Sequence, residues 1–116
     1  MRRLLFVVLL GFSVLARGLG AEAVRGPERF REAIVAFEKD DAAHPPKPGG
    51  VLFIGSSSIR RWTTLATDFP DVRSVNRGFG GSYISDSIYY FERIVLPHRP
   101  RLVVFYAGTN DLGGDR

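Results

Sequence analysis

The chain alternates between stretches with helical spacing of apolar residues and short segments typical of β-strands. Apolar residues that recur every three or four positions predict amphipathic helices at 27–41, 59–66 and 84–95. Three short segments predict strands at 51–54, 72–76 and 102–106. The first and third of these are unbroken apolar runs, which is typical of strands buried on both faces of a parallel sheet.

This alternation of strands and helices predicts parallel βαβ units that are joined by right-handed crossovers. Pro45, Pro46 and Pro48 end the first helix before the first strand, because proline cannot continue a helix. We therefore expect a three-layer α/β fold with a parallel sheet, which forms one domain over residues 24–116.

Residues 1–23 have the pattern of a secretory signal peptide. Arg2 and Arg3 precede an apolar run at 4–15, and small residues follow it, with cleavage expected after Ala21 or Ala23. Twelve residues rise only about 18 Å as a helix, less than the hydrocarbon core of about 30 Å. The pattern predicts a secreted or periplasmic protein with no stable membrane span after cleavage.

Composition narrows the function classes further. The 116 residues carry a formal charge of +4 and contain no cysteine, which excludes disulfides and cysteine metal sites. Loss of residues 1–23 removes three arginines and one glutamate and lowers the charge to +2. So small a surplus gives no reason to expect nucleic-acid binding, which requires a concentrated basic face.

Three polar or glycine-rich segments follow the ends of the predicted strands, at 55–58, 76–82 and 108–111. In an open parallel sheet, ligands bind outside the carboxyl ends of the strands, so these segments are expected to form one pocket. Each segment alone has an ordinary explanation. Serines often cap helices, glycines occupy loops with positive φ, and Asn-Asp is common in turns.

The same three segments resemble the first three sequence blocks of the SGNH (GDSL-type) hydrolases, a family with lysophospholipase- and acetylesterase-like members. The resemblance covers roughly residues 50–112 and lies in FIGSSSI at 53–59, NRGFGGS at 76–82 and YAGTND at 106–111. It implies a flavodoxin-like three-layer fold with strand order 2-1-3-4-5. This chain would hold strands 2, 1 and 3 and lack the C-terminal ones, which would leave 102–106 as an uncovered, aggregation-prone edge.

By this resemblance, Ser57 is the nucleophile, and Gly81 and Asn110 supply a backbone and a side-chain N–H to an oxyanion hole. The residue types suit these tasks: glycine allows close approach of the backbone, and an amide donates hydrogen bonds without carrying charge. The implied activity is that of an exported carboxylic-ester hydrolase acting on a small-molecule ester, with no metal or cofactor. Acetylated sugars, short-chain esters and lysolipids all fit.

A serine nucleophile needs a base, which in the resembled family comes from a C-terminal Asp-x-x-His block. No such block follows Asn110, so we expect the chain to be the N-terminal portion of a hydrolase domain and inactive by itself. Residues 41–44, Asp-Ala-Ala-His, match the Asp-x-x-His pattern but precede the first strand. His44 is therefore expected at a helix C-terminus. His98 precedes the third strand and is expected in a surface loop at the amino-terminal edge of the sheet. Asp86 is expected in the first turn of a helix, where a carboxylate interacts favourably with the helix dipole.

Two other functions remain open. The first is a noncatalytic pseudoenzyme fragment that binds an ester or an anion in the same pocket. The second is phosphate binding by residues 55–58 at a helix start, which is weaker because no lysine follows the serines as in a P-loop.

Overall fold

The computed structural model describes residues 26–113, so the predicted signal peptide at 1–23 lies outside the described residues. A 3-10 turn at Pro27–Phe30 leads into the first helix, and another at Leu96–His98 follows the fourth. The elements are α1 (Arg31–Ala43), β1 (Val51–Gly55), α2 (Ser57–Arg60), α3 (Leu65–Asp68), β2 (Ser74–Gly78), α4 (Ile84–Ile94), β3 (Leu102–Tyr106) and α5 (Thr109–Gly113). Among these residues no helix is long and apolar enough to cross a membrane.

The three strands form a parallel sheet in the order β2-β1-β3, with β1 in the centre. The last residue of β1, Gly55, pairs with Gly78 of β2 and with Tyr106 of β3. The parallel α/β arrangement and the order of these three strands are as predicted. All three strands therefore end level at one edge of the sheet.

Helices cover both faces of the sheet, which gives the predicted three layers. On one face, Leu52 and Ile54 of β1 are buried against α1 and α4, with Ile34, Tyr90 and Ile94 in the same core. The other face has a smaller core beneath α2 and α3, formed by Val51, Phe53, Ile59 and Leu65. Successive side chains of β1 therefore pack into opposite cores, which explains why the sequence of β1 is continuously apolar.

The prediction that β3 is buried on both faces was wrong. Leu102, Phe105 and Tyr106 remain 51%, 47% and 57% exposed. The reason is the position of β3 in the sheet, because it is an edge strand that pairs only with β1 among the described residues. The expectation that this strand forms an exposed apolar edge is confirmed.

Element boundaries also differ from the predictions. The helix expected at 27–41 starts as a 3-10 turn at Pro27–Phe30, and its α-helical part, α1, runs from Arg31 to Ala43. The helix expected at 59–66 consists of two single turns, α2 and α3. The indole of Trp62 and the hydroxyl of Thr64 both donate hydrogen bonds to the carboxylate of Asp68, which stabilises a separate turn. The second strand begins two residues later than expected and continues to Gly78, where it pairs with Gly55.

Candidate functional site

The three segments that follow the strands are joined by hydrogen bonds at the carboxyl edge of the sheet. The backbone N–H of Phe79 donates to the carbonyl oxygen of Gly55 at 3.0 Å, and the hydroxyl of Ser82 donates to the same oxygen at 3.4 Å. Ser82 is completely buried. The loop at 79–82, which we call the glycine loop, is thereby fixed against the end of β1.

The third segment contacts the glycine loop through Asn110. This residue lies in the first turn of α5, and its Nδ2 donates to the carbonyl oxygen of Ser82 at 3.0 Å. An amide nitrogen carries two hydrogens, so one N–H of Asn110 remains for another acceptor. The predicted oxyanion residue Asn110 is therefore held against the residue that follows Gly81.

Gly81 adopts the left-handed conformation, with φ of +77°, and is exposed. A Cβ at this position would meet no atom within 4 Å, so the backbone angle, rather than lack of space, favours glycine. Within residues 26–113 the N–H of Gly81 donates to no acceptor. The predicted donor is thus available at the surface of the loop.

Ser57 is the first residue of α2, directly beyond the end of β1, and is half-buried. Its hydroxyl and backbone N–H have no hydrogen-bond partner within the described part of the chain. The preceding residue, Ser56, is buried and donates its N–H to the carbonyl oxygen of Tyr106 at 3.2 Å. The start of α2 is thereby anchored to β3, and the Ser57 hydroxyl lies at the same edge as the glycine loop.

Asn76 connects two elements just before the glycine loop, and the sequence pattern did not predict this role. Its Nδ2 donates to the carbonyl oxygen of Ile59 at 2.7 Å, and its Oδ1 accepts from the N–H of Gly78 at 2.9 Å. One side chain therefore connects α2 to the end of β2. An asparagine two residues before a glycine at a strand end is the available signal, because this spacing allows an Asx turn.

Two carboxylates bind the N-terminus of α4 beside the site. Asp86 accepts from the N–H of Tyr83 at 2.8 Å and from Arg29 at 2.7 Å. Asp111, adjacent to Asn110, accepts from the N–H of Ile84 at 3.1 Å. The expectation that Asp86 stabilises the first turn of a helix is confirmed. The contact of Asp111 also fixes α5, and with it Asn110, relative to the glycine loop.

The expectation that His98 is a surface loop residue was wrong, since only 6% of it is exposed. Its Nε2 lies 2.9 Å from Oδ1 of Asp41, near the end of α1, and Arg77 reaches the same oxygen at 2.5 Å. The 3-10 turn that contains His98 directs the imidazole inward, where the Asp41 carboxylate provides a polar partner. His98 is thus part of a buried ionic cluster rather than a surface group.

His44 is exposed at the C-terminus of α1, as expected, and lies 3.2 Å from Asp40. Burial alone would raise the pKa of Asp40, but hydrogen bonds from His44 and Arg77 outweigh it and hold the pKa below its usual value. Both histidines line a cavity of about 510 Å³ beside Arg73 and the start of β2. They lie at the amino-terminal edge of the sheet, whereas Ser57 follows the carboxyl edge.

The structure therefore brings the segments of Ser57, Gly81 and Asn110 to one edge and places both histidines elsewhere. Residues 26–113 contain no group of three or more His, Cys, Asp or Glu side chains that could bind a metal ion. Neither a family model nor a curated protein matches this chain.

Proposed function

We propose that the protein is an exported carboxylic-ester hydrolase of the SGNH type, with Ser57 as nucleophile. The hydrogen bond between Asn110 and the carbonyl oxygen of Ser82 is the observation that carries this proposal. It fixes the third polar segment against the glycine loop, next to the free N–H of Gly81. The substrate would be a small-molecule ester. The small charge surplus gives no reason to expect a nucleic-acid partner, and the resemblance implies no cofactor.

In the proposed reaction, the Ser57 hydroxyl oxygen bonds to the ester carbonyl carbon while a base takes its proton. The carbonyl oxygen becomes an oxyanion, which accepts hydrogen bonds from the N–H groups of Ser57 and Gly81 and from the second N–H of Asn110. Collapse of this intermediate breaks the bond to the alcohol oxygen, which takes the proton from the protonated base and leaves as the alcohol. Water then hydrolyses the acyl-serine to the carboxylic acid and free Ser57. One such donor contributes about 2.7–4 kcal/mol to the stability of the transition state.

Residues 26–113 place no histidine at this edge that could act as the base. Imidazole in solution can take the place of a histidine side chain, since it has the same proton-accepting group. We expect 4-nitrophenyl acetate with imidazole to transfer one acetyl group to Ser57, located by peptide mass spectrometry. Without imidazole, acetylation is expected to be negligible.

Ser58, the exposed neighbour in the same helix, provides the matched control. Ser58→Ala is expected to leave the rate of acetylation unchanged, whereas Ser57→Ala abolishes it. Asn110→Ala should slow it by about 100- to 1,000-fold, the loss typical of one oxyanion donor. Absence of acetyl-Ser57, or its formation at an equal rate in Asn110→Ala, would contradict the proposed site. Acetylation of lysines does not bear on it, because the activated ester and acetylimidazole react with amines directly.

A noncatalytic binding protein is the second candidate, because both histidines of the chain lie at the opposite edge of the sheet. In that case the free donors of Gly81 and Asn110 would hold an ester or an anion without acyl transfer. Saturable binding of acetate or an ester, with no acetyl-Ser57 formed even in imidazole, would favour this alternative.

A further inference from the structure

Arg60 lies directly against the glycine loop. A Cβ on Gly80 would be only 3.2 Å from Arg60 Nε and 3.3 Å from Cζ, so the guanidinium packs on the bare Cα of Gly80. Bond lengths along the backbone then place Cζ within about 8 Å of the Gly81 N–H. A positive charge therefore lies beside the proposed oxyanion hole.

The guanidinium of Arg60 is exposed and has no acidic partner among residues 26–113. By contrast, Arg29, Arg77 and Arg93 each pair with a carboxylate. Arg60 also follows Ser57 by three positions in α2, which places both side chains on the same side of that turn. The charge is thus free to meet a group on a molecule bound at Ser57.

A cavity of about 360 Å³ adjoins this guanidinium between α1 and the glycine loop. Its walls are mostly apolar and include Phe30, Ala33, Phe37 and Phe79. Two further charged side chains reach it: Arg29, which is paired with Asp86, and Glu32 on α1. The cavity can therefore hold an apolar part of a bound molecule that continues beyond the group bound by Arg60.

Resting on the proposed function, we infer that the substrate is an ester with a negatively charged group beside the scissile bond, and that Arg60 binds this group. Arg60 is then a specificity-determining residue. Exposed ion pairs are weak, so the preference for the anion is expected to be about two- to fivefold. Because the site is open to solvent, molar salt should remove most of this preference.

The test compares two esters that transfer the same acetyl group to Ser57. The anionic ester is 4-acetoxy-3-nitrobenzoate, and the neutral one is 4-acetoxy-3-nitrobenzamide. The measured quantity is the rate of Ser57 acetylation by the anionic ester divided by the rate with the neutral ester, both in imidazole. We expect this ratio to fall two- to fivefold in Arg60→Gln, to stay unchanged in Arg61→Gln, and to rise in Glu32→Gln. An equal ratio in Arg60→Gln and the unchanged chain overturns the inference.

A binding measurement separates failure of this inference from failure of the proposed function. The Ser57→Ala chain is titrated with the same two esters, and the amide resonances of Gly80 and Gly81 are followed by NMR. Tighter binding of the anionic ester, lost in Ser57→Ala/Arg60→Gln, supports the inference even where no acetyl-Ser57 forms. Equal binding of the two esters, or binding that Arg60→Gln does not weaken, overturns it whatever the chemistry at Ser57.

Discussion

Two glycines at the carboxyl edge are required because backbone groups approach them closely. A Cβ on Gly55 would overlap the carbonyl oxygen of Tyr106 in the neighbouring strand. A Cβ on Gly78 would overlap the backbone nitrogen of Arg60 and lie 2.8 Å from the backbone of Ile59. Neither neighbour can move easily, because both belong to the backbone. These two positions therefore set how closely β3 and α2 approach the centre of the sheet.

We accordingly expect Gly78→Ala to lower the free energy of unfolding by about 1–3 kcal/mol, as is usual when a methyl group is forced into a packed site. Urea unfolding measures this difference. Gly113→Ala is the control, because a Cβ at Gly113 would meet nothing within 4 Å. If Gly78→Ala and Gly113→Ala changed the free energy of unfolding equally, this result would contradict the close packing of α2 on Gly78.

For single residues, the sequence predicts at which edge of the sheet the candidate residues lie, but not the hydrogen bonds that fix them there. Ser57, Gly81 and Asn110 follow three strand ends, and the ends of parallel strands meet at one edge. The bond from Asn110 to Ser82 joins residues 28 positions apart, so it depends on the register of three strands and the start of α5. Neither the spacing of apolar residues nor a local motif determines that register.

Between elements, a bidentate ion pair joins α1 to α4 at the surface. Arg93 Nε donates to Glu38 Oε1 at 2.7 Å, and Arg93 Nη2 donates to Oε2 at 2.9 Å. Hydrogen bonding to Arg93 holds the pKa of Glu38 below its usual value. Both side chains are more than a third exposed, so solvent screening limits the contribution of this pair to roughly 0.5 kcal/mol.

The lowered pKa of Glu38 gives this contribution a defined pH dependence. It is fully present above the unfolded-state pKa of about 4.3, and is lost as the pH falls through the lower pKa of the folded state. We expect Glu38→Gln to be less stable than the unchanged chain at neutral pH and equally stable in acid, as measured by urea unfolding across pH. Glu92→Gln on α4 is the control and should show no such pH-dependent difference in stability. If Glu38→Gln were destabilised as much in acid as at neutral pH, the ion pair with Arg93 would not be the cause.

Among the helices, the one that the sequence predicted best has a pattern that spans several turns. α4 begins and ends within one residue of the predicted range, because Ile84, Ile88 and Phe91 repeat at helical spacing. The segment 59–66 has the same spacing over little more than two turns, and there the bonds to Asp68 decide the outcome. Similarly, the burial of His98 depends on Asp41, which is distant in sequence and reaches it from another element.

Across the whole molecule, the central strand β1 is covered by other elements, whereas the edge strand β3 is partly open to solvent. β1 is buried along its whole length, whereas β3 offers one free backbone edge among the described residues and three exposed apolar side chains. Beside it, Ile88 and Phe91 of α4 border an apolar cavity of about 260 Å³ together with Phe105. A free strand edge flanked by apolar side chains is a surface on which polypeptide chains associate.

We therefore expect the chain to self-associate through β3 as its concentration rises, which sedimentation velocity or light scattering would detect. Phe105→Lys places a charge at the centre of the apolar border and should shift association to higher concentration, because pairing would then bury an ammonium group. Leu112→Lys makes the same chemical change at a side chain that is 93% exposed in α5, outside β3. If both lysines reduced association equally, net charge rather than the β3 edge would be responsible; if neither did, the associating surface would lie elsewhere on the molecule.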